Sequence, residues 1–135
     1  MNKLIPGRVR IHNWRLRLDC LPTLENLVTL CVDMANTTCP LCLENTENRE
    51  HLFVKCRLSS EIRTAINRWW NFFPLVCGSV NDLFNIRCPP GSIGTPNIIK
   101  VVVIQAYCWT IWKGRNDCQD RLQETITNIR DLLRK

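Results

Sequence analysis

Cys39, Cys42, His51 and Cys56 constrain this chain more than any other residues, because they fall in the order C-x2-C-x8-H-x4-C. Zinc prefers four sulfur or nitrogen ligands in a tetrahedron, and a set closed by four protein ligands marks a structural site. Two cysteines separated by Pro40-Leu41 form a turn that aims both sulfurs at one ion. His51 and Cys56 lie five apart, which works where the backbone turns or leaves a helix between them. The intervening loop, Leu43 to Glu50, is polar and acid-rich, as an exposed connection between ligand pairs should be. Three thiolates and one neutral imidazole would hold one Zn2+. Three protons leave and two charges arrive, so a formal net charge of +6 becomes +5.

The chain has nine cysteines, an odd number, and its N-terminal residues show no apolar signal-peptide core. Metal ligation in a reducing compartment, nucleus or cytoplasm, is therefore expected over a disulfide framework and secretion. Outside the motif, Cys20, Cys31, Cys77, Cys88, Cys108 and Cys118 form no further close pair. Cys31 and Cys108 lie on apolar faces and read as small core residues. A second site from Cys77, Cys88 and His12 would need ligands from distant segments and is not expected. His12 reads as a packing or surface residue. No uncharged apolar run reaches the ~18–20 residues of a membrane span, so no membrane partner is expected.

Apolar periodicity gives a mainly α fold. Ile11, Trp14, Leu18 and Leu21 predict one buried helical face, broken by Pro22. Thr23 then caps a short helix carrying Leu24, Leu27, Val28 and Cys31. Ile62, Ala65, Ile66, Trp69 and Phe73 mark an amphipathic helix, N-capped by Ser59 or Ser60 and ended by Pro74. Pro74 to Pro96 holds four of the seven prolines and three of the five glycines, and reads as a connector with one short helix near Asp82–Phe84. Ile98 to Trp112 is β-branched at its start but too long for a strand, which predicts a buried helix ending at Lys113-Gly114. A last helix carries Leu122, Ile126, Ile129 and Leu133 on one face. The expected organisation is a small helical domain around the zinc knuckle (residues 1–74), a connector (75–96) and a C-terminal helical pair (97–135). Trp14, Trp69, Trp109 and Trp112 sit on helical stripes and read as core, as does Phe53 inside the knuckle. Trp70 lies off its stripe.

Several segments together resemble the zinc-binding domain at the C-terminal end of LINE-type (non-LTR) retrotransposon reverse transcriptases, abundant in plant genomes. They are Val9 to Asp19, Leu21-Pro22-Thr23 with Asn26-Leu27, the knuckle Cys39-Pro40-Leu41-Cys42 with His51-Leu52-Phe53 and Cys56, and the pair Trp69-Trp70. Farther on, Trp109 to Asn116 is similar to a W-x-x-W-K-x-R-N segment that often follows this domain. Two positions depart from the pattern. Cys20 stands where the family often has a basic residue, and Val28 to Val32 stands where it often has an Arg-Gly-type pair. Both departures remove positive charge. The resemblance implies a module that accompanies a polymerase rather than the polymerase itself.

Charge distribution permits a nucleic-acid partner. Lys3, Arg8, Arg10, Arg15 and Arg17 precede residue 18 with no acid among them, and so hold +5 of the net +6. Of the 18 basic residues 13 are arginine, which suits bidentate phosphate contact. The candidate contacts are Arg8, Arg10, Arg15 and Arg17 on the first helix, with Arg49, Lys55 and Arg57 around the knuckle; the same arginines also read as a solvated helix face. The resemblance implies RNA as the template partner and target DNA as the second. The alternative is a zinc-held interaction module docking on a reverse transcriptase core or on itself through Leu122, Ile126, Ile129 and Leu133. A retroelement remnant without selected function is a third reading. No catalytic residues are assigned. The sequence offers no adjacent Asp-Asp pair for a polymerase metal site, no Gly-rich phosphate loop and no acidic cluster for a nuclease, so neither an enzyme nor a small-molecule substrate is expected.

Overall fold

A computed structural model describes residues 5–34, 36–69, 77–85 and 95–133. The described residues form five α-helices and one π-helical turn: α1 (Gly7–Arg17), α2 (Leu24–Thr29), the π turn (His51–Lys55), α3 (Arg57–Trp69), α4 (Val80–Phe84) and α5 (Thr95–Leu133). The mainly α expectation holds.

The short helices carry local capping signals, of which the sequence predicts the first. Thr23 caps α2, its hydroxyl accepting from the Asn26 N–H at 3.3 Å. Ser79 caps α4 in the same way, accepting from Asp82 N–H at 3.1 Å. Helices α1 and α2 both end in Schellman motifs, which satisfy the last carbonyls by chain reversal. Cys20 N–H bonds to Arg15 O at 2.8 Å and Val32 N–H to Leu27 O at 2.9 Å. The reversal places Asp19 (φ 54°) and Cys31 (φ 63°) in left-handed backbone. Cys31 is thereby turned out to solvent rather than into the core, because a helix-ending position points away from the face that the helix buries. Helix α3 starts earlier than predicted, at Arg57. Ser60 N–H already bonds to Cys56 O, and the Ser59 hydroxyl reaches back to Leu52 O instead of capping.

Two larger expectations change. The face of α1 that packs inward is Val9, His12, Asn13 and Leu16, whereas Ile11, Trp14 and Leu18 are more than half exposed. Both stripes have helical spacing, and hydropathy favours the wrong one, since the buried stripe contains a histidine and an amide. The histidine is accommodated by aromatic rings. The Asn13 amide donates to Val9 O at 2.9 Å. The predicted C-terminal helical pair is instead one helix of 39 residues running through Gly114. Glycine ends a helix where it takes left-handed backbone; Gly114 stays helical, and a helix interior tolerates it at about 1 kcal/mol.

The core lies where α1, the π turn, α3, α4 and α5 meet. From α5 it takes Ile104, Tyr107, Cys108, Ile111 and Trp112. From the π turn it takes Leu52, Phe53 and Val54, and from α4 Val80 and Leu83. Phe53 is fully buried and stacks on Trp112. Of the expected core positions on the later helices, Phe73 lies outside the described residues, as do the side chains of Trp69, Leu122, Ile126 and Ile129; Trp70, read as off its stripe, lies outside them too. No helix among the described residues is long and apolar enough to cross a membrane.

Candidate metal centre

The four motif residues come from three local structures. Cys39 and Cys42 sit on a tight turn in which Leu43 N–H bonds to Cys39 O at 2.9 Å. Leu43 takes left-handed backbone there, with φ 59°. The loop returns alongside the turn: Cys39 N–H donates to Asn45 O and Glu47 N–H to Thr37 O, around a Thr38–Thr46 antiparallel bridge. His51 opens the π turn, anchored by its own N–H to Asn48 Oδ1 at 2.8 Å. Cys56 closes it, donating from its N–H to His51 O at 2.6 Å.

The π turn explains the five-residue spacing. In an α-helix residues five apart point about 140° from one another. The wider i to i+5 turn brings them toward one side. Cys56 then leaves the turn in extended backbone, with ψ 138°. One ligand atom from each of Cys39, Cys42, His51 and Cys56 lies within 4.8 Å of all the others, and all four residues are buried. Cys42 Sγ is 3.3 Å from His51 Nε2. A zinc tetrahedron with bonds of about 2.0–2.3 Å sets its ligand atoms about 3.5–3.8 Å apart, so small side-chain adjustments close the site.

The surroundings suit thiolates. Backbone N–H groups of Leu41 and Cys42 point at Cys39 sulfur, those of Glu44 and Asn45 at Cys42, and those of Leu58 and Ser59 at Cys56. Without a metal, burial outweighs these donors at two positions: it pushes Cys39 up to about 12 and raises Cys56. At Cys42 burial also acts upward, but the backbone donors and neighbouring thiols prevail and hold it below the ordinary thiol value. A coordinated dication deprotonates such thiols outright. His51 is lowered by burial and by Lys55, against an opposing pull from Glu47, which keeps its imidazole neutral and ready to ligate. Donor set, spacing and N–H shell fit a single structural zinc. With four protein ligands, no coordination position is left for a substrate.

The other predicted site residues divide. Arg8, Arg15, Arg17, Lys55 and Arg57 are exposed and Arg10 is half-buried. Arg8 and Arg17 also lie over the rings of Trp109 and Phe84, 5.9 and 5.2 Å from the centroids. Arg49 is occupied internally. It donates to Leu16 O and Arg17 O at the end of α1, and pairs with Glu50 at 3.2 Å. Arg57 faces Glu44 at 3.8 Å.

Sequence reasoning missed Glu47 and Arg115. Arg115 from α5 grips the Glu47 carboxylate with Nε–Oε2 at 2.8 Å and Nη2–Oε1 at 2.6 Å, both residues buried. Glu47 Oε1 also accepts from Leu24 N–H at the start of α2. This ion pair ties α5 to the loop between the ligand pairs. The available signal was the arginine of the Trp109–Asn116 segment, with an acid inside an otherwise exposed loop.

Helices packed around a closed Cys3His knuckle define a zinc-stabilised accessory domain. Residues 1–62 match the family described as zinc-binding in reverse transcriptase. No curated protein and no solved structure matches the chain.

Proposed function

We propose that this chain is a non-catalytic nucleic-acid-binding module of a LINE-type reverse transcriptase, of plant origin and acting in the nucleus or cytoplasm. RNA is its first expected partner and target DNA its second. The observation that carries the reading is the basic character of α1. Arg8, Arg15 and Arg17 are exposed on its two flanks, on a helix that has no acid in its first turn. A second edge with basic residues borders the metal centre. Lys55, Arg57 and Arg68, with Glu44 and Glu61 beside them, line an open cleft of about 500 Å3 that reaches Cys42. Zinc fixes the knuckle, the knuckle seats Arg49 against the end of α1, and α1 presents its arginines to phosphates.

Phosphate contacts release counterions, so affinity for single strands falls with salt by about 0.7 log units per contact for each tenfold rise. Fluorescence anisotropy of the zinc-loaded chain with a short single-stranded RNA, across a salt series, tests the reading. Steep salt dependence that flattens in R15E/R17E supports it. Absence of binding at low salt refutes it. The docking alternative draws on Leu132 and Leu133, both strongly exposed at the end of α5. An apolar contact of that kind would be nearly indifferent to salt.

A further inference from the structure

The stripe of highest hydropathy on α1 faces solvent: Ile11, Trp14 and Leu18 are 53, 63 and 54% exposed. Large apolar side chains exposed in one contiguous strip mark an interaction surface, where scattered ones do not. With Gly7 they follow one another at steps of four, three and four, the 3.5-residue repeat of a coiled-coil seam. Gly7 and Trp14 then take d positions, and Ile11 and Leu18 take a positions. An open hollow of about 310 Å3 lies on this strip, lined by Gly7, Arg10, Ile11 and Trp14. Those four residues stand at i, i+3, i+4 and i+7, the corners of the hole into which a facing helix inserts a side chain. Ile11, Trp14, Arg15 and Leu18 repeat the spacing one step farther on.

The flanks of the strip are basic. In this register Arg8 and Arg15 occupy e positions and Arg10 and Arg17 occupy g positions, the places that choose a partner by charge. Arg10 is half-buried, whereas Arg8, Arg15 and Arg17 are exposed. None of those three has a carboxylate partner among the described residues. Arg8 and Arg17 rest on the rings of Trp109 and Phe84, which steadies them without cancelling their charge. A second copy of α1 would set arginine against arginine in either direction, and like charges across an interface repel. We propose that this face of α1 packs against an amphipathic helix of a partner protein, one with leucine-sized apolar residues at a and d and glutamate or aspartate at e and g. Ile11 and Leu18 are aliphatic and give a nucleic acid no ring to stack on, whereas a helix seam buries them. Where RNA uses the same arginines, as proposed above, the two ligands exclude one another.

The test titrates the full zinc-loaded chain into labelled peptides of about 28 residues, long enough to hold a helix. One has leucine at a and d with glutamate at e and g, and one has lysine in place of the glutamate. A third has the composition of the glutamate peptide with its seam scrambled. Binding to the glutamate peptide alone is expected. Trp14→Ala is expected to weaken it about 30-fold, the loss of a buried interface anchor. R8E/R15E should exchange the preference, losing the glutamate peptide and gaining the lysine one. Thermal melts matching the wild-type protein show that these variants remain folded. Equal binding of the scrambled or the lysine peptide, undiminished binding by Trp14→Ala, or binding of none of the peptides overturns the inference. So does binding to phosphatidylserine vesicles without binding to the glutamate peptide, which assigns the strip to a bilayer. A concentration-dependent dimer that Trp14→Ala abolishes assigns it to a second copy and overturns the inference too. If the chain binds single-stranded RNA and no peptide, this inference fails while the nucleic-acid reading stands.

Discussion

Leu43 and Cys31 hold left-handed backbone with side chains that oppose it, at φ 59° and 63°. That conformation costs a residue with a Cβ about 1–2 kcal/mol. Both positions are exposed, so Leu43→Gly and Cys31→Gly remove little packing. Each is expected to raise stability by up to about 1 kcal/mol, the added chain entropy offsetting the rest. Chemical unfolding of the zinc-loaded variants checks this. His12 behaves differently. It is buried among Phe53, Trp109 and Trp112, with ring centroids 5.4–6.1 Å away. Burial, helped by the Arg15 charge, lowers its pKa from 6.5 to about 4. An unfolded chain therefore takes up this proton first. Its contribution to stability is complete above pH 6.5 and is lost as pH falls towards 4. His12→Leu is expected to lack this part of the acid dependence, read as a smaller drop in melting temperature between pH 7 and pH 5 than in the wild-type protein. The ligand residues were legible at this scale because zinc chemistry fixes both residue type and spacing. The exposure of Trp14 was not, and His12 was left between packing and surface, because an exposed indole and an imidazole among aromatic rings both run against the hydropathy on which a stripe is judged.

Among the elements, α5 departs most from what its sequence suggests. Gly114 followed an apolar run and resembled a stop, yet the helix passes through it. A Cβ placed on Gly114 would meet nothing within 4 Å. Gly114→Ala should therefore raise stability by about 0.5–1 kcal/mol, seen as a higher melting temperature. A loss of helicity or stability would instead show that the chain needs a break there. Periodicity located α2, α3 and the start of α5 because each carries a cap, a proline or a clear stripe. It did not reveal the π turn. Nothing in His51-Leu52-Phe53-Val54-Lys55 marks an i to i+5 bond, and the turn shows only as a ligand spacing that an α-helix does not serve.

At the scale of the whole molecule, the zinc region and α5 share one core, although the family match ends at residue 62. Tyr107 donates to Phe53 O at 2.6 Å and accepts from Arg63 at 2.9 Å. Arg115 and Glu47 close the other end of the contact. Glu47→Ala leaves a buried guanidinium without its partner and is expected to cost about 3–5 kcal/mol. Glu47→Ala with Arg115→Met should cost less than Glu47→Ala alone, and urea unfolding of the pair distinguishes the two. Such long-range pairing is invisible to periodicity, since 68 residues separate the partners. A metal held by Cys39, Cys42, His51 and Cys56 would join the turn and the π turn inside this core, so folding and zinc binding should be one event. The most direct measurement is a zinc titration into the reduced, metal-free chain, followed by circular dichroism. Helical signal is expected to rise and to level off sharply at one zinc per chain, with no such gain in His51→Ala. A spectrum and melting curve indifferent to zinc would contradict this.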